Sequence, residues 1–171
     1  MNDVFVEQIV ERKQDLSTSV KKILLILAAV LVSTVFLVIG VIRFIFPAVF
    51  ALSMFFAVRT SRNLNLEYEY SFTNGELDVD KIMGRRTRSR ELSIHVRSFT
   101  IFATVTETNY KEYESRNFAK VLDASSSPKS EKRWFAVYRD DAGNDSLLIF
   151  EPNERLLEAM KRFIPSSKIK N

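Results

Sequence analysis

The longest hydrophobic pattern in the chain covers residues 23–58 and is interrupted by one charge, Arg43. A helix rises about 1.5 Å per residue and a bilayer core is about 30 Å thick, so roughly 20 apolar residues cross it once. The run is too long for one crossing and suits two short crossings joined by a turn. Gly40 and Pro47, which lie near Arg43, favour a turn there. The pattern predicts a transmembrane helical hairpin over residues 21–60.

Two other interpretations of this run stay open: a single kinked span, and a buried helix pair in a soluble protein. The second predicted crossing, residues 44–58, is short. It would need tilt, local thinning of the bilayer, or snorkelling of Arg59 to reach both surfaces.

The N-terminal arm, residues 1–20, carries apolar side chains among charges at an approximately helical spacing. Such a stripe is typical of an interfacial helix that lies on a membrane. A frayed cytosolic arm fits the same residues. The apolar positions of this arm are Val4, Phe5, Ile9, Leu16 and Val20.

From residue 64 onward the pattern changes to the period of two that indicates β-strands. Apolar and polar residues alternate over 64–73, and Asn74-Gly75 then provides a strong β-hairpin turn signal. Strands are predicted over about 76–83 and 87–96, with a second turn at Gly84-Arg85. The apolar phase shifts afterwards, which predicts a bulge or bend near Arg97-Ser98.

The hydrophobic pattern of the C-terminal part predicts two more strands and one helix. Residues 104–131 are the least regular, and strands follow over 134–140 and 146–151. A helix is expected from about residue 153 to 164, ended by Pro165, with residues 166–171 as a polar tail. Its apolar stripe consists of Leu156, Leu157, Met160, Phe163 and Ile164.

Together these elements predict an α+β membrane protein with a barrel-like domain over residues 64–165. An antiparallel meander of six or seven strands leaves an open end, and one C-terminal helix with an apolar stripe can close it. This arrangement looks like a pleckstrin-homology-like (PH-like) barrel.

Four segments carry a closer resemblance: MNDVFVEQIV, YEYSFTNGELDVDKI, VLDASSSPKS and SLLIFEPNERLLEAMKRFIP. In this order they resemble a family of small bacterial integral membrane proteins with a transmembrane hairpin and a PH-like cytoplasmic domain. The resemblance covers nearly the whole chain and implies this architecture. It implies no activity.

Charge limits the partners and sets the expected orientation. The chain has 25 Lys and Arg against 21 Asp and Glu, a net charge of +4, which does not provide the strongly basic face that nucleic-acid binding needs. Basic pairs at Lys21-Lys22 and at Arg59 and Arg62 flank the hairpin, whereas its connection carries Arg43 alone. The positive-inside rule then places both termini in the cytoplasm of a multi-pass protein. The mixed charges before the apolar run argue against a cleaved signal peptide.

The densest group of charges is formed by four arginines on or beside the second β-turn: Arg85, Arg86, Arg88 and Arg90. One hypothesis is contact with anionic lipid headgroups or with a protein partner. The other is pairing across the hairpin with Asp78 and Asp80 on the neighbouring strand.

No constellation of residues predicts catalysis, a cofactor or a metal site. The chain has no cysteine, and His95 is its single histidine, so the serines at 125–127 have no evident base. The leading interpretation is a membrane-anchored, non-catalytic module that binds a protein, a peptide or an anionic lipid surface. Small residues of the hairpin would allow self-association: Ala28, Ala29, Ser33 and Gly40. The alternatives are an enzyme acting on a membrane-embedded substrate and an accessory subunit of a membrane complex.

Overall fold

The computed structural model describes residues 3–14, 16–38, 43–140 and 142–170. The chain divides into two compact units. The first comprises Met1–Arg12, Glu67–Ile82 and Arg88–Asn171, and the second comprises Lys13–Leu66 and Met83–Thr87.

Three of the sequence predictions fall on positions outside the described residues. These are the turn at Gly40, the position of Met1 and the position of Asn171.

The first unit contains a four-stranded sheet whose strands follow chain order, β1-β2-β3-β4. The strands are β1 (Phe5–Glu11), β2 (Leu66–Thr73), β3 (Glu76–Met83) and β4 (Thr87–His95). A two-residue turn, Asn74-Gly75, joins β2 to β3, and a three-residue turn, residues 84–86, joins β3 to β4. Four of these turn residues have a positive φ: Asn74 49°, Gly75 102°, Gly84 59° and Arg85 59°. Turns of this kind match the twist of the flanking strands. Both predicted β-hairpins are therefore confirmed.

The prediction of an interfacial helix in the N-terminal arm is wrong for residues 5–11, which form β1. This strand pairs antiparallel with β2, with Val6 opposite Phe72 and Val10 opposite Tyr68. Val6 and Val10 are buried, while Phe5 and Ile9 on the other face are exposed. The spacing of apolar residues in the arm did not reveal the strand, because its partner strand lies about sixty residues further along the chain.

A second sheet of five strands has the order β6-β8-β7-β5-β9. Its strands, in chain order, are β5 (Phe99–Thr104), β6 (Val121–Asp123), β7 (Trp134–Arg139), β8 (Asp145–Phe150) and β9 (Ile169–Lys170). The expected single meander is wrong, because β6 pairs parallel with β8 and β9 pairs parallel with β5. The described strands form two sheets that do not close into one barrel. The predicted polar tail, residues 166–171, includes β9, because the edge of β5 offers backbone hydrogen bonds to a segment whatever its side chains.

The chain passes from the first sheet to the second through a short 3-10 turn at Val96–Ser98. The bend predicted near Arg97-Ser98 is thus confirmed. Val96 is fully buried, and its amide donates a hydrogen bond to the carbonyl of Gly75 at 2.8 Å.

The core of the first unit contains aromatic side chains from both sheets and the apolar stripe of a helix. Tyr70 meets Phe150 edge to face with ring centroids 5.6 Å apart. The last helix of this unit, α4 (Glu154–Lys161), contributes Leu156 and Met160, which are completely buried. Asn153 accepts a hydrogen bond from the Leu156 amide at 2.8 Å, which caps the helix start.

The first unit has two helices, α3 (Glu107–Glu114) and α4 (Glu154–Lys161). The C-terminal helix is confirmed but ends at Lys161, three residues before the predicted end at Ile164. Helix α3 falls in the stretch that showed no regular pattern. Its Tyr110 and Tyr113 pack on Phe135 of the second sheet, with ring centroids 5.3 and 5.1 Å apart.

The second unit is a pair of helices, α1 (Leu16–Val38) and α2 (Phe46–Asn63), named here the helix pair. Ser33 Oγ lies 2.9 Å from Ser53 Oγ, and Lys22 Nζ donates to Asn65 Oδ1 at 2.6 Å. These contacts run in opposite chain order, so the helices are antiparallel. Pro47 lies in the first turn of α2, where a missing amide hydrogen costs nothing.

One helix in the described part of the chain is long and apolar enough to cross a membrane. It spans Leu16–Phe36 within α1, with a mean hydropathy of 2.1, and only 11% of this stretch is buried. A helix forming the core of a soluble protein would be mostly buried.

Candidate functional site

The four predicted arginines are divided between the two units. Arg88 and Arg90 lie on β4 in the first unit, whereas Arg85 and Arg86 lie in the β3–β4 turn, which belongs to the second unit. The contacts that these arginines make also differ between the two units.

Arg90 pairs with the two carboxylates that the sequence singled out. Its Nη1 lies 2.9 Å from Asp78 Oδ2, and its Nε donates to Asp80 Oδ1 at 2.6 Å. The hydrogen bond to Asp80 raises the pKa of Arg90. The hypothesis of pairing across the β-hairpin is therefore confirmed for Arg90. Its guanidinium group already forms ion pairs within its own sheet.

Arg88 pairs with a carboxylate that sequence reasoning missed, Glu69 of β2. Glu69 is buried, and this burial raises its pKa, with a further increase from the neighbouring carboxyl group of Glu7. The alternation in β2 suggested that Glu69 faces solvent. In the folded sheet it is buried near Glu7 of β1 and Asp80 of β3.

The turn that carries Arg86 is fixed to the end of α2. The amide of Gly84 donates to the carbonyl of Asn65 at 2.9 Å. A Cβ at Gly84 would lie 2.9 Å from Asn63 Oδ1 and 3.1 Å from the Arg62 carbonyl, and the residue has a φ of +59°. Only glycine combines this backbone conformation with so close an approach.

A groove of about 650 Å³ lies in the second unit between α2 and this turn; it is named here the α2 groove. Its apolar part is lined by Phe50, Met54, Phe55 and Val58. Its basic part is lined by Arg59, Arg62 and Arg86. Arg59 and Arg62 share a helix face because they are three residues apart.

The α2 groove carries three positive charges and no acidic lining residue. Within the described ranges, none of these three guanidinium groups has an ion-pair or hydrogen-bond partner. The sequence identified Arg59 and Arg62 as determinants of orientation but not as companions of Arg86. Their three-residue spacing at the end of an apolar helix was the available signal.

His95 and the serine-rich loop have structural roles. His95 Nδ1 accepts a hydrogen bond from the Arg97 amide at 3.2 Å and so caps the 3-10 turn. Ser125 Oγ donates to Asp123 Oδ1 at 2.6 Å, so its hydroxyl hydrogen is directed to a carboxylate within the loop.

Glu151 holds the same loop from the neighbouring strand end. It accepts hydrogen bonds from the Ser126 amide at 3.1 Å and from Ser130 Oγ at 2.9 Å. Burial alone would raise the pKa of Glu151, but these hydrogen bonds outweigh that effect and lower it. The loop is therefore held by polar contacts within itself and by Glu151.

No group of three metal-binding side chains occurs in the part of the chain that the structure describes. The single tryptophan, Trp134, is a packing residue. It stacks on Phe102 with ring centroids 4.7 Å apart and carries Lys161 Nζ 5.1 Å from its own ring.

Two sheets in which most strand pairs are antiparallel, together with a C-terminal helix, give the first unit an α+β fold. The family model described as a bacterial PH-like domain (DUF6106) matches residues 2–170, so the chain belongs to this family. PH-like domains are generally non-catalytic binding modules. Comparison with curated proteins and with solved structures gives no match.

Proposed function

We propose that this chain is a membrane-anchored, non-catalytic binding module with its PH-like domain in the cytoplasm. Helices α1 and α2 cross the bilayer as a hairpin and serve as the anchor. The observation that carries the proposal is an exposed apolar helix pair inserted between two paired strands.

The apolar surface of the helix pair supports the anchor. Large side chains more than half exposed occur along both helices, including Leu27, Leu31, Leu52, Phe55 and Phe56. Exposed apolar surface costs roughly 25 cal/mol per Å² in water, and patches this extensive mark sites of membrane or protein contact. A bilayer removes the whole cost.

The strand register supports two crossings over one. Glu11 of β1 lies directly opposite Glu67 of β2, so the segment between them leaves and re-enters the sheet at one place. If α1 crosses a membrane, the chain has to cross back before β2 begins. The apolar part of α2, residues 46–58, reaches about 20 Å as a helix, so this return crossing requires local thinning or snorkelling of Arg59.

The basic residues support the orientation. The antiparallel packing brings Lys21 and Lys22 to the same end of the helix pair as Arg59 and Arg62, with Arg43 on the connection. Cytoplasmic flanks carry an excess of Lys and Arg. Both chain termini are then cytoplasmic.

A topology experiment on the full chain tests this proposal. One reporter active only in the cytoplasm and one active only outside it are fused in turn to each terminus and inserted after Arg43. We expect cytoplasmic activity at both termini and outside activity after Arg43. Termini on opposite sides would establish a single span. Recovery of the protein in the soluble fraction after an alkaline wash would reject the anchor altogether.

A further inference from the structure

We propose that the α2 groove binds one anionic phospholipid. Arg59, Arg62 and Arg86 hold its phosphate, and its acyl chains lie along Phe50, Met54 and Phe55. This inference rests on the proposed function in one respect, namely that α2 lies in a bilayer.

The charge of the α2 groove specifies an anion. Three arginines line a space that has no acidic lining residue. Guanidinium groups bind phosphate through two parallel N–H···O hydrogen bonds, which makes arginine well suited to this ligand. Asn63 and Thr87 line the same space and add uncharged hydrogen-bonding groups.

The contrast with the nearby β4 arginines strengthens this assignment. Arg88 pairs with Glu69, and Arg90 pairs with Asp78 and Asp80. The three groove arginines have no carboxylate partner in the described part of the chain. Ion pairing within the sheet therefore explains why Arg88 and Arg90 are present. It does not explain the three arginines of the α2 groove.

The order of polarity along α2 matches a phospholipid better than a free phosphate ion. Phe50 and Arg62 are twelve residues apart, which corresponds to about 18 Å along a helix. The apolar residues come first and the arginines last, as acyl chains and headgroup follow one another from the bilayer core to its surface. The volume of about 650 Å³ lies within the usual range for small-molecule sites, about 300–1,000 Å³.

Gly84 explains how Arg86 is held at the groove. The Gly84–Asn65 hydrogen bond fixes the β3–β4 turn to the end of α2 within the second unit. The third arginine is thereby positioned before a ligand arrives, which lowers the ordering cost of binding.

Native mass spectrometry of the full chain in neutral detergent tests the inference. The probes are long-chain phosphatidylglycerol, short-chain phosphatidylglycerol, long-chain phosphatidylcholine and inorganic phosphate. We expect the protein to prefer long-chain phosphatidylglycerol. Replacement of all three arginines (R59Q/R62Q/R86Q) should weaken its binding on the order of a hundredfold, about fivefold per charge.

A matched control changes the net charge equally elsewhere. R97Q/R155Q/R162Q removes three exposed arginines of the first unit and should leave lipid binding unchanged. Equal losses in both triple variants, or none in either, would overturn the site. Equal binding of phosphatidylcholine would overturn the anionic specificity, and displacement by inorganic phosphate at the same concentration would show a phosphate site without a lipid.

The two proposals can fail separately. Alkaline extraction and reporter topology of the same variants test the anchor without reference to lipid binding. We expect R59Q/R62Q/R86Q to stay in the membrane while losing the lipid. A wild-type chain that stays in the membrane yet shows no preference among the probes would overturn the lipid site alone.

Discussion

Glu69 shows how the environment of one side chain changes its chemistry. Its carboxyl group is 1% exposed, beside Arg88 and close to Glu7. Burial disfavours the charged form, so the pKa of Glu69 is raised in the folded state. The neutral form therefore stabilises the fold. This contribution is fully present below the pKa of the unfolded chain and is lost as pH rises through the raised pKa.

Substitution of Glu69 by Gln should remove this pH dependence. We expect the wild type and Glu69→Gln to melt at similar temperatures near pH 4. At higher pH the variant should become relatively more stable, since it carries no charge to bury. Thermal melts across this range, with the exposed Glu112→Gln as control, measure the difference. A variant that is uniformly less stable at every pH would show that the Arg88 ion pair outweighs burial.

At the scale of the element, β1 is the clearest case of a segment decided by its partner. Its residues suit a helical stripe and a strand almost equally. The two interpretations assign opposite importance to its apolar side chains, since the strand buries Val6 and Val10 and exposes Phe5 and Ile9.

Paired substitutions separate the strand from the helix. Val6→Ala with Val10→Ala removes buried methyl groups worth about 1.5 kcal/mol per residue, so the melting temperature should fall. Phe5→Ala with Ile9→Ala alters exposed positions and should leave it nearly unchanged. Thermal melting of the full chain in detergent provides both values. The reverse ranking would restore the interfacial helix.

At the scale of the whole molecule, the helix pair is an insertion between two neighbouring strands. Glu11 and Glu67 are opposite one another, although more than fifty residues separate them along the chain. The first unit has its own core, from Phe72 of the first sheet to Phe102 of the second and Met160 of α4. We therefore expect the PH-like domain to fold without the helix pair.

Replacement of residues 13–65 by Asn-Gly should convert the β1–β2 connection into a two-residue β-hairpin. We expect this shortened chain to be soluble without detergent and to melt cooperatively. Circular dichroism and calorimetry test this. Simple deletion of residues 1–61 serves as the comparison and should be less stable, because it loses β1. An aggregated or non-cooperative product would show that the helix pair is part of the fold.

Local patterns in the sequence determined several elements of this protein. Asn74-Gly75 and Gly84-Arg85 specify tight turns because few residues tolerate positive φ. The apolar stripe of α4 identifies a helix by its spacing, and the long apolar run of α1 identifies one by its length. Of the two hypotheses left open for the arginines, pairing with Asp78 and Asp80 is confirmed for Arg90, since a short turn places these residues on adjacent strands.

Contacts between distant segments were decided only by the tertiary structure. The pairing of β1 with β2, the parallel partners of β6 and β9, the burial of Glu69 and the meeting of Arg86 with Arg59 and Arg62 all join residues far apart in the chain. No local periodicity carries this information, because the energy of each arrangement comes from the surface that a remote segment covers.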